Sequence, residues 1–439
     1  MEKEKLFETL VRWNYWGKRS LEDFRSRDVF TEILPFIDEP FPIVLIGIRR
    51  SGKSSLLSLV MRHLIHRGVS PGQLLLINFE EPLFSSHLSI EFLEQLIAIY
   101  REKINPDKKI FFFLDEIQNL PDWEKWIRRE ADLKEHKIFL TGSSAKLLSS
   151  EISSLLTGRY YSFVVNPLSF REFLDWQKIP FDTEIEITEN KSLIRRSFSD
   201  YIEWGGFPET VLSDSNDKKH KILHQYFDDI LFRDIVMRYQ IRDVKLLQSI
   251  AEYYMTNLAS LHSFNRIKNI FATSLDNVRR YSTFLEESQL IFFLNKFSYK
   301  LSEQQRANRK GYVADTGIRN AISFTFTKDI GKLVENCVAS QLKYRSNDLY
   351  YFGNGSECDF IVKQSGKFIP IQITHSDLSD AKLKNREYQG LIAAMMQLNQ
   401  KTGLLLTDDL DREERIEDFF IQIKPVWKFL LKSDQLNLL

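Results

Sequence analysis

The first part of the chain alternates short apolar runs with amphipathic segments. The apolar runs are strand-sized and lie at residues 41–48, 73–80, 109–116 and 137–144. Helical spacing of apolar residues follows the first three runs, at residues 54–68, 90–104 and 123–134. Near-continuous apolar strands that alternate with helices are typical of a parallel sheet covered on both faces. The pattern therefore predicts an α/β fold over residues 1–165.

The pattern changes after about residue 166. Residues 166–243 show mostly helical periodicity, with one break at WGGFPE (204–209), where paired glycines and a proline predict a tight chain reversal. Residues 244–325 favour three helices and a two-stranded hairpin. Residues 326–439 begin with a long helix, which strand-like runs follow. The joints are short, so we expect four parts that pack against one another.

A glycine-rich loop joins the first predicted strand to its helix. It reads GIRRSGKS and follows the pattern G-x-x-x-x-G-K-[ST]. Such a loop cradles phosphates with backbone amides and with the positive end of the following helix. We expect Lys53 to reach the β- and γ-phosphates of ATP and Ser54 to bind Mg²⁺. The predicted nucleotide-binding residues are Gly47, Ile48, Arg49, Arg50, Ser51, Gly52, Lys53, Ser54 and Ser55.

Two adjacent acids end the third apolar run, IFFFLDE. A buried strand has little reason to end in adjacent carboxylates unless they serve a site, although simple solvent exposure is the alternative. Asp115 is predicted to hold the Mg²⁺ shell, and Glu116 to orient and polarise the attacking water.

Two weaker catalytic candidates follow along the chain. The fourth run ends in TGSS, so Thr141, Ser143 or Ser144 could sense the γ-phosphate, and a plain turn or helix cap is the alternative. Arg159, in the triplet GRY, is a candidate transition-state arginine that acts in its own subunit or in a neighbouring one. An ordinary salt-bridged arginine is equally compatible with the sequence.

These motifs together resemble those of a known family. GIRRSGKSSLL, FFFLDEIQNLPDWEKWIR, LTGSSAKLL, LTGRYYSFVVNPLSFREFL and WGGFPE follow, in order, the motifs of a widespread archaeal and bacterial group of AAA+-type ATPases with a C-terminal domain of unknown function. The resemblance runs from Asn14 to about residue 380. It implies ATP binding and hydrolysis, with residues 166–243 as a helical lid, and it supports the role of Arg159.

Residues 244–325 are interpreted as a winged helix-turn-helix. Ser274 is a predicted N-cap for the third helix, the one that enters a DNA groove in such modules. Residues 241–310 hold eleven basic and six acidic side chains, a net charge of +5. Basic side chains can neutralise DNA phosphates, although winged helices also bind proteins. The predicted DNA contacts are Asn277, Arg279, Arg280, Arg309 and Lys310.

The last part, residues 326–439, resembles the PD-(D/E)XK nucleases. Glu335, Asp359 and Gln372 match the order of that superfamily's metal-binding residues. Thr374 stands where the resemblance requires a lysine. Threonine cannot supply a positive charge, so we expect a nuclease-like fold whose cleavage activity is lost.

The composition limits the remaining choices. The chain has 60 basic and 60 acidic residues, so the +5 segment is balanced by −5 elsewhere. The two cysteines are too few for a disulfide framework, and no stretch approaches a membrane span. We expect a cytoplasmic, Mg²⁺-dependent ATPase that acts on DNA and could form a homo-oligomer. The alternatives are a nucleotide switch acting on protein partners and an active ATP-gated nuclease.

Overall fold

The computed structural model describes residues 2–17, 24–143, 158–323, 329–345, 348–364, 366–375, 378–379 and 381–432. The chain folds into two compact units, Met1–Asn166 and Pro167–Leu439. In the described part of the chain, no helix has the length and apolar character that crossing a membrane requires.

The first unit is built on five parallel strands in the order β2–β3–β4–β1–β5. The strands are β1 (Ile43–Ile46), β2 (Leu74–Asn78), β3 (Phe111–Asp115), β4 (Lys137–Gly142) and β5 (Tyr161–Val164). The helices are α1 (Lys3–Trp13), α2 (Asp28–Ile33), α3 (Lys53–His66), α4 (Ile90–Lys103) and α5 (Trp123–Leu133), with a 3-10 turn at Ile117–Asn119. The predicted parallel sheet is confirmed.

Apolar side chains on both faces hold this sheet. In β1, Val44 and Ile46 join the hydrophobic cluster that includes α4 and α5, whereas Ile43 and Leu45 join the cluster that includes α3. Successive side chains of a strand point to opposite faces, so a strand covered on both faces needs a continuous apolar run. The edge strand β5 is only partly buried, and Ser162 interrupts its short apolar run. Its weaker pattern did not predict a strand.

The second unit begins with a helical region and continues into a mixed helix-and-sheet region. Its helices are α6 (Phe170–Trp176), α7 (Glu184–Glu189), α8 (Lys191–Trp204), α9 (Pro208–Leu212), α10 (Asn216–Asp229), α11 (Val244–Thr256), α12 (Phe264–Ile270), α13 (Leu275–Glu287), α14 (Leu301–Arg306), α15 (Thr316–Ile322), α16 (Ile330–Arg345), α17 (Ala381–Gln397) and α18 (Val426–Leu431). A π-helical segment, Ile230–Met237, continues α10.

A nine-stranded sheet runs through the second unit in the order β13–β14–β12–β11–β10–β9–β7–β8–β6. The strands are β6 (Ser260–His262), β7 (Ile291–Lys296), β8 (Arg309–Val313), β9 (Leu349–Asn354), β10 (Ser356–Gln364), β11 (Lys367–Ile373), β12 (Thr402–Thr407), β13 (Arg412–Ile416) and β14 (Phe419–Pro425). Strands β7 and β8, the two predicted strands of this region, pair antiparallel, and β6 adds a third strand by pairing with β8.

One pairing joins two parts that we predicted to be separate. Strand β7 pairs in parallel with β9, with Asn295 opposite Tyr350 and Lys296 opposite Tyr351. The sheet is therefore continuous across the predicted boundary at residues 325 and 326. Pairing between strands far apart in sequence leaves no local signal, which is why the pattern suggested two domains.

The predicted helical lid also lies differently from our expectation. Residues from Pro167 onward belong to the second unit rather than to the first. Leu168 and Phe170 are buried in the same hydrophobic cluster as Val338 and Phe360. This shared core attaches residues 167–243 to the nine-stranded sheet. The local periodicity of the sequence does not indicate it, because the core is formed by residues far apart in the chain.

The close backbone contacts of Gly206 fix that attachment. The Gly206 amide donates to Asp315 at 2.7 Å, and its carbonyl accepts from the Leu168 amide at 2.7 Å. The Asp315 carboxylate also accepts from the Ile318 amide, and burial raises its pKa to about 6. A Cβ atom on Gly206 would collide with the Leu168 carbonyl oxygen. The WGGFPE motif therefore joins three segments through close backbone contacts.

We expect Gly206→Ala to destabilise the second unit by about 2 kcal/mol or more, because the new methyl group overlaps a main-chain oxygen that cannot move freely. Gly353→Ala is the matched control, since its Cβ would lie 3.5 Å from the nearest neighbour, an ordinary contact. Urea unfolding of both variants measures the difference. Equal midpoints would contradict this account.

Candidate nucleotide-binding site

The predicted phosphate loop lies between β1 and α3, at the carboxyl edge of the five-stranded sheet. Gly52 has φ +100°, a conformation that favours glycine. A Cβ on Gly47 would collide with the Val165 carbonyl oxygen, so this position needs glycine for close packing. The Ser51 hydroxyl is fully buried and has no hydrogen-bond partner among the described residues. The loop thus has the shape and an available polar atom that a bound phosphate group requires.

Lys53 is buried at the first turn of α3. Its ammonium donates to the carbonyl oxygens of Gly47 at 3.0 Å and Ile48 at 3.2 Å. Glu116 lies 3.7 Å away from the same nitrogen. The positive charge is therefore held inside the loop and beside the acids at the end of β3.

Asp115 is the centre of a small hydrogen-bond network. The Ser54 hydroxyl donates to its carboxylate at 2.8 Å, and the Thr141 hydroxyl donates to the other oxygen. Burial, and next the charge of Glu116, raise the pKa of Asp115 to about 6. The residues predicted to bind Mg²⁺, Ser54 and Asp115, are therefore adjacent.

Glu116 has an unusual backbone conformation. Its φ is +55°, and its amide donates to the Thr141 hydroxyl at 2.9 Å. Non-glycine residues in this region are uncommon and concentrate at functional sites. The conformation turns the Glu116 side chain toward Lys53 while Asp115 faces Ser54.

Sequence reasoning missed one residue of this site, Gln118. Its side-chain amide nitrogen donates to the Glu116 carboxylate and, at 3.3 Å, to the buried Ser143 hydroxyl. The only feature of the sequence that could have indicated a role for Gln118 was its position two residues after Glu116. Gln118 therefore connects Ser143 with Glu116. The role of Ser143 as a γ-phosphate sensor stays a prediction, and Ser144 lies outside the described residues.

The remaining predicted residues occupy more ordinary positions. Arg49 donates to Glu80 at 2.8 Å, and Ile48 is buried as packing within the loop. Arg50 and Ser55 are not buried. Arg159 forms an exposed ion pair with Asp132 at 2.7 Å, the ordinary alternative that the sequence allowed. Its role as a transition-state arginine stays a prediction.

The residues of the phosphate loop and the acid at the end of β3 together fit Mg²⁺ and a nucleoside triphosphate. The loop presents the Lys53 cation and the buried Ser51 hydroxyl, which together suit phosphate oxygens. The hydroxyl of Ser54 and the carboxylate of Asp115 are the oxygen ligands that Mg²⁺ prefers.

Family models match the chain in two places. Residues 39–174 match an AAA domain, and residues 195–329 match a domain of unknown function, DUF8612. A curated relative, the uncharacterized protein MJ1544 of Methanocaldococcus jannaschii, is 30% identical over 448 residues, which cover 98% of this chain and 96% of the relative. The chain belongs to the same family as MJ1544, and its residues 39–174 form the part that matches an AAA domain.

Another relative and two solved structures are less similar to this chain. An uncharacterized Haemophilus influenzae protein is 29% identical over 78% of this chain and 84% of its own length. The ORC1 protein of Aeropyrum pernix, solved in complex with DNA, covers 69% of this chain and 93% of its own, at 14% identity and a TM-score of 0.34. CDC6P of Pyrobaculum aerophilum covers 70% of this chain and 95% of its own, at 10% identity and a TM-score of 0.29. Such low scores do not establish a shared fold.

In this member of the family, α13 presents a polar surface. Ser274 caps the helix, as predicted, by accepting from the Asn277 amide at 3.1 Å. Arg279 and Arg280 are exposed, and Arg280 donates to the Asn277 side chain at 3.1 Å. Arg309 is also exposed and lies 4.0 Å from Glu286. The start of α13 lines a surface depression of about 550 Å³ formed by Ser274, Asp276, Asn277, Arg279, Arg280 and Thr283.

Lys310 does not lie on that surface, contrary to our prediction. Its side chain is only 3% exposed, and its ammonium lies 2.9 Å from Glu335, 2.8 Å from Glu357 and 3.0 Å from Asp359. Neighbouring side chains of a strand point to opposite faces, so Arg309 faces outward where Lys310 faces inward. The continuous sheet, which the sequence did not predict, buries Lys310.

The three nuclease-like residues also converge on this cluster. The Asp359 amide donates to the Gln372 side chain at 3.1 Å, and Gln372 donates to the buried Glu387. Burial, and next Asp359, raise the pKa of Glu335 to about 7. Among the described residues, no group of three or more acids, histidines or cysteines is arranged to hold a metal ion. The ammonium of Lys310 lies between the carboxylates instead.

Proposed function

We propose that this chain is a Mg²⁺-dependent AAA+ ATPase that couples its nucleotide cycle to a DNA-binding module. The observation that carries the proposal is the convergence of Lys53, Ser54, Asp115 and Glu116 at one edge of the parallel sheet. The family membership supports ATP hydrolysis in general.

Each side chain has a distinct part in this proposal. Lys53 would exchange its loop carbonyls for phosphate oxygens and stabilise their charge. Ser54 and Asp115 would hold Mg²⁺, which when bound neutralises charge on the β- and γ-phosphates. Glu116 would orient the attacking water, and Ser143 would contact the γ-phosphate or that water. Arg159 would stabilise the transition state from its own or a neighbouring subunit, and action from a neighbouring subunit would make a homo-oligomer the active form.

The ATPase proposal predicts different losses for two substitutions. Lys53→Ala should weaken ATP binding at least tenfold, because it removes the cation of the loop. Glu116→Gln should keep ATP binding and lower kcat about 100-fold, because it removes the base. Binding of a fluorescent ATP analogue and phosphate release measure these effects.

The controls are exposed residues of the same unit, Lys109→Ala and Glu91→Gln, which should leave both quantities unchanged. Unchanged turnover in both Lys53→Ala and Glu116→Gln would contradict the assignment.

The DNA-binding part rests on the region from α11 to β8. Helices α11, α12 and α13 precede β7 and β8 in the order that a winged helix requires. Arg279, Arg280 and Arg309 are exposed there, and Asn277 lies beside Arg280. Exposed arginines on the third helix suit phosphate and base contacts in a major groove. Lys310 is not part of this surface.

We expect the double substitution Arg279→Ala and Arg280→Ala to weaken duplex DNA binding about tenfold or more near 0.1 M salt. The salt dependence should also decrease, by about 0.9 in log–log slope for each phosphate that the variant no longer neutralises. Fluorescence anisotropy at several salt concentrations measures both. Arg195→Ala with Arg196→Ala removes the same charge elsewhere in the second unit and should have little effect. Absence of DNA binding by the unaltered protein would instead favour the alternative of a switch acting on protein partners.

The cluster around Lys310 favours a second candidate function, an ATP-gated nuclease. Thr374 lacks the positive charge that the nuclease pattern requires, but Lys310 supplies an ammonium 3.0 Å from Asp359. The carboxylates of Glu335, Glu357, Asp359 and Glu387 outnumber the nearby cations Lys310 and Arg386. The described residues do not form a ready-made metal site. The excess negative charge would attract a divalent cation, which catalyses phosphodiester cleavage, and the carboxylates would have to rearrange to hold it. The lysine would thus come from β8 rather than from β11.

This second function predicts Mg²⁺- or Mn²⁺-dependent cleavage of single-stranded, duplex or branched DNA by the full chain. Asp359→Asn should abolish cleavage and leave ATP turnover intact. Lys310→Met should also abolish it, whereas the exposed control Lys300→Met should not. If the protein cleaves none of these substrates with either metal, the nuclease function is rejected and the cluster is a structural ion network.

A further inference from the structure

Gln118 lies between the two polar groups that flank the proposed reaction. It belongs to the 3-10 turn Ile117–Asn119, directly after Glu116. Its amide nitrogen donates to the Glu116 carboxylate and to the Ser143 hydroxyl. One side chain therefore connects the proposed base with the proposed γ-phosphate sensor.

The orientation of this amide follows from chemistry. An ionised carboxylate only accepts hydrogen bonds, so the NH₂ group of Gln118 must face Glu116. The amide oxygen of Gln118 therefore occupies the other terminal position of the side chain, the one that does not face Glu116. It is buried, and it has no hydrogen-bond partner among the residues that the structure describes.

A buried amide oxygen without a partner is unfavourable, and native proteins rarely retain one outside functional sites. This oxygen can only accept, so its partner must be a donor. The proposed reaction brings one new donor beside Glu116 and Ser143, the attacking water with its two protons. Glu116 accepts one of them, and the second needs another acceptor.

We propose that Gln118 is a catalytic residue whose amide oxygen accepts the second hydrogen bond of the attacking water. This inference rests on the proposed ATPase function. The water oxygen forms a bond to the γ-phosphorus, and the bond from that phosphorus to the β–γ bridging oxygen breaks, its electron pair leaving on ADP. One water proton passes to Glu116 and then to solvent, and the other stays on the released phosphate.

An amide suits this position better than other side chains. Its nitrogen holds the Glu116 carboxylate in place while its oxygen orients the water. A glutamate here would lose the donor and repel Glu116. A leucine would keep most of the volume but provide neither group. Orientation of an attacking water by a glutamine is an established means of accelerating phosphoryl transfer.

Steady-state ATP hydrolysis by the full chain tests this role. We expect Gln118→Leu and Gln118→Glu to lower kcat about 30-fold or more, with KM and the Kd of a fluorescent ATP analogue changed less than about threefold. The control is Asn119→Leu, at the exposed neighbouring position of the same turn, which should keep the original kcat. A loss confined to KM, or an unchanged kcat in both Gln118 variants, would overturn the proposal.

The double variant separates a shared role from a structural one. If Glu116 and Gln118 hold the same water, Glu116→Gln with Gln118→Leu should be no slower than Glu116→Gln alone. Independent, multiplying losses would contradict that role. If Glu116→Gln itself keeps full turnover, the proposed ATPase mechanism fails. If only the Gln118 variants keep full turnover, the inference about Gln118 fails alone. The ATP-analogue Kd shows in each case that the site is folded.

Discussion

The site depends on one constraint, the common carboxyl edge of parallel strands. Strands β1, β3 and β4 are buried side by side, and their carboxyl ends meet at the same edge. This geometry brings the loop after β1, the acids at the end of β3 and Thr141 of β4 within hydrogen-bond distance of one another. The left-handed conformation of Glu116 then separates the two carboxylates. One faces the hydroxyl of Ser54, and the other faces the ammonium of Lys53.

A second constraint governs the other unit. Buried charges are stable only when they are paired. Strand β8 carries Lys310 into a group of carboxylates, and the pairing of β7 with β9 brings those carboxylates within its reach. The region that bears the exposed arginines and the C-terminal region after residue 326 therefore share one sheet and one ion network. Movement of β8 would affect both.

Parts of this arrangement could be predicted from the sequence. The first unit has continuous apolar strands and a loop pattern of fixed spacing, so local residues identify both sheet and site. Three features depended on distant residues and were missed or wrong. The edge strand β5 is short and partly buried, with Ser162 interrupting its apolar residues. Lys310 faces a sheet that local periodicity does not show, and Leu168 attaches the helical region to a core far along the chain. Gln118 was missed because its importance depends on its hydrogen bonds to Glu116 and Ser143, which the fold alone brings together.

The central claim is that the nucleotide changes the affinity for DNA, which requires differential binding to two states. The most direct measurement is duplex DNA affinity of the Glu116→Gln variant, which should hold ATP without hydrolysing it. Anisotropy titrations with Mg²⁺·ATP and with Mg²⁺·ADP compare the two nucleotide states at the same salt concentration. We predict affinities that differ by about fivefold or more. Equal affinities in both nucleotide states would contradict the account.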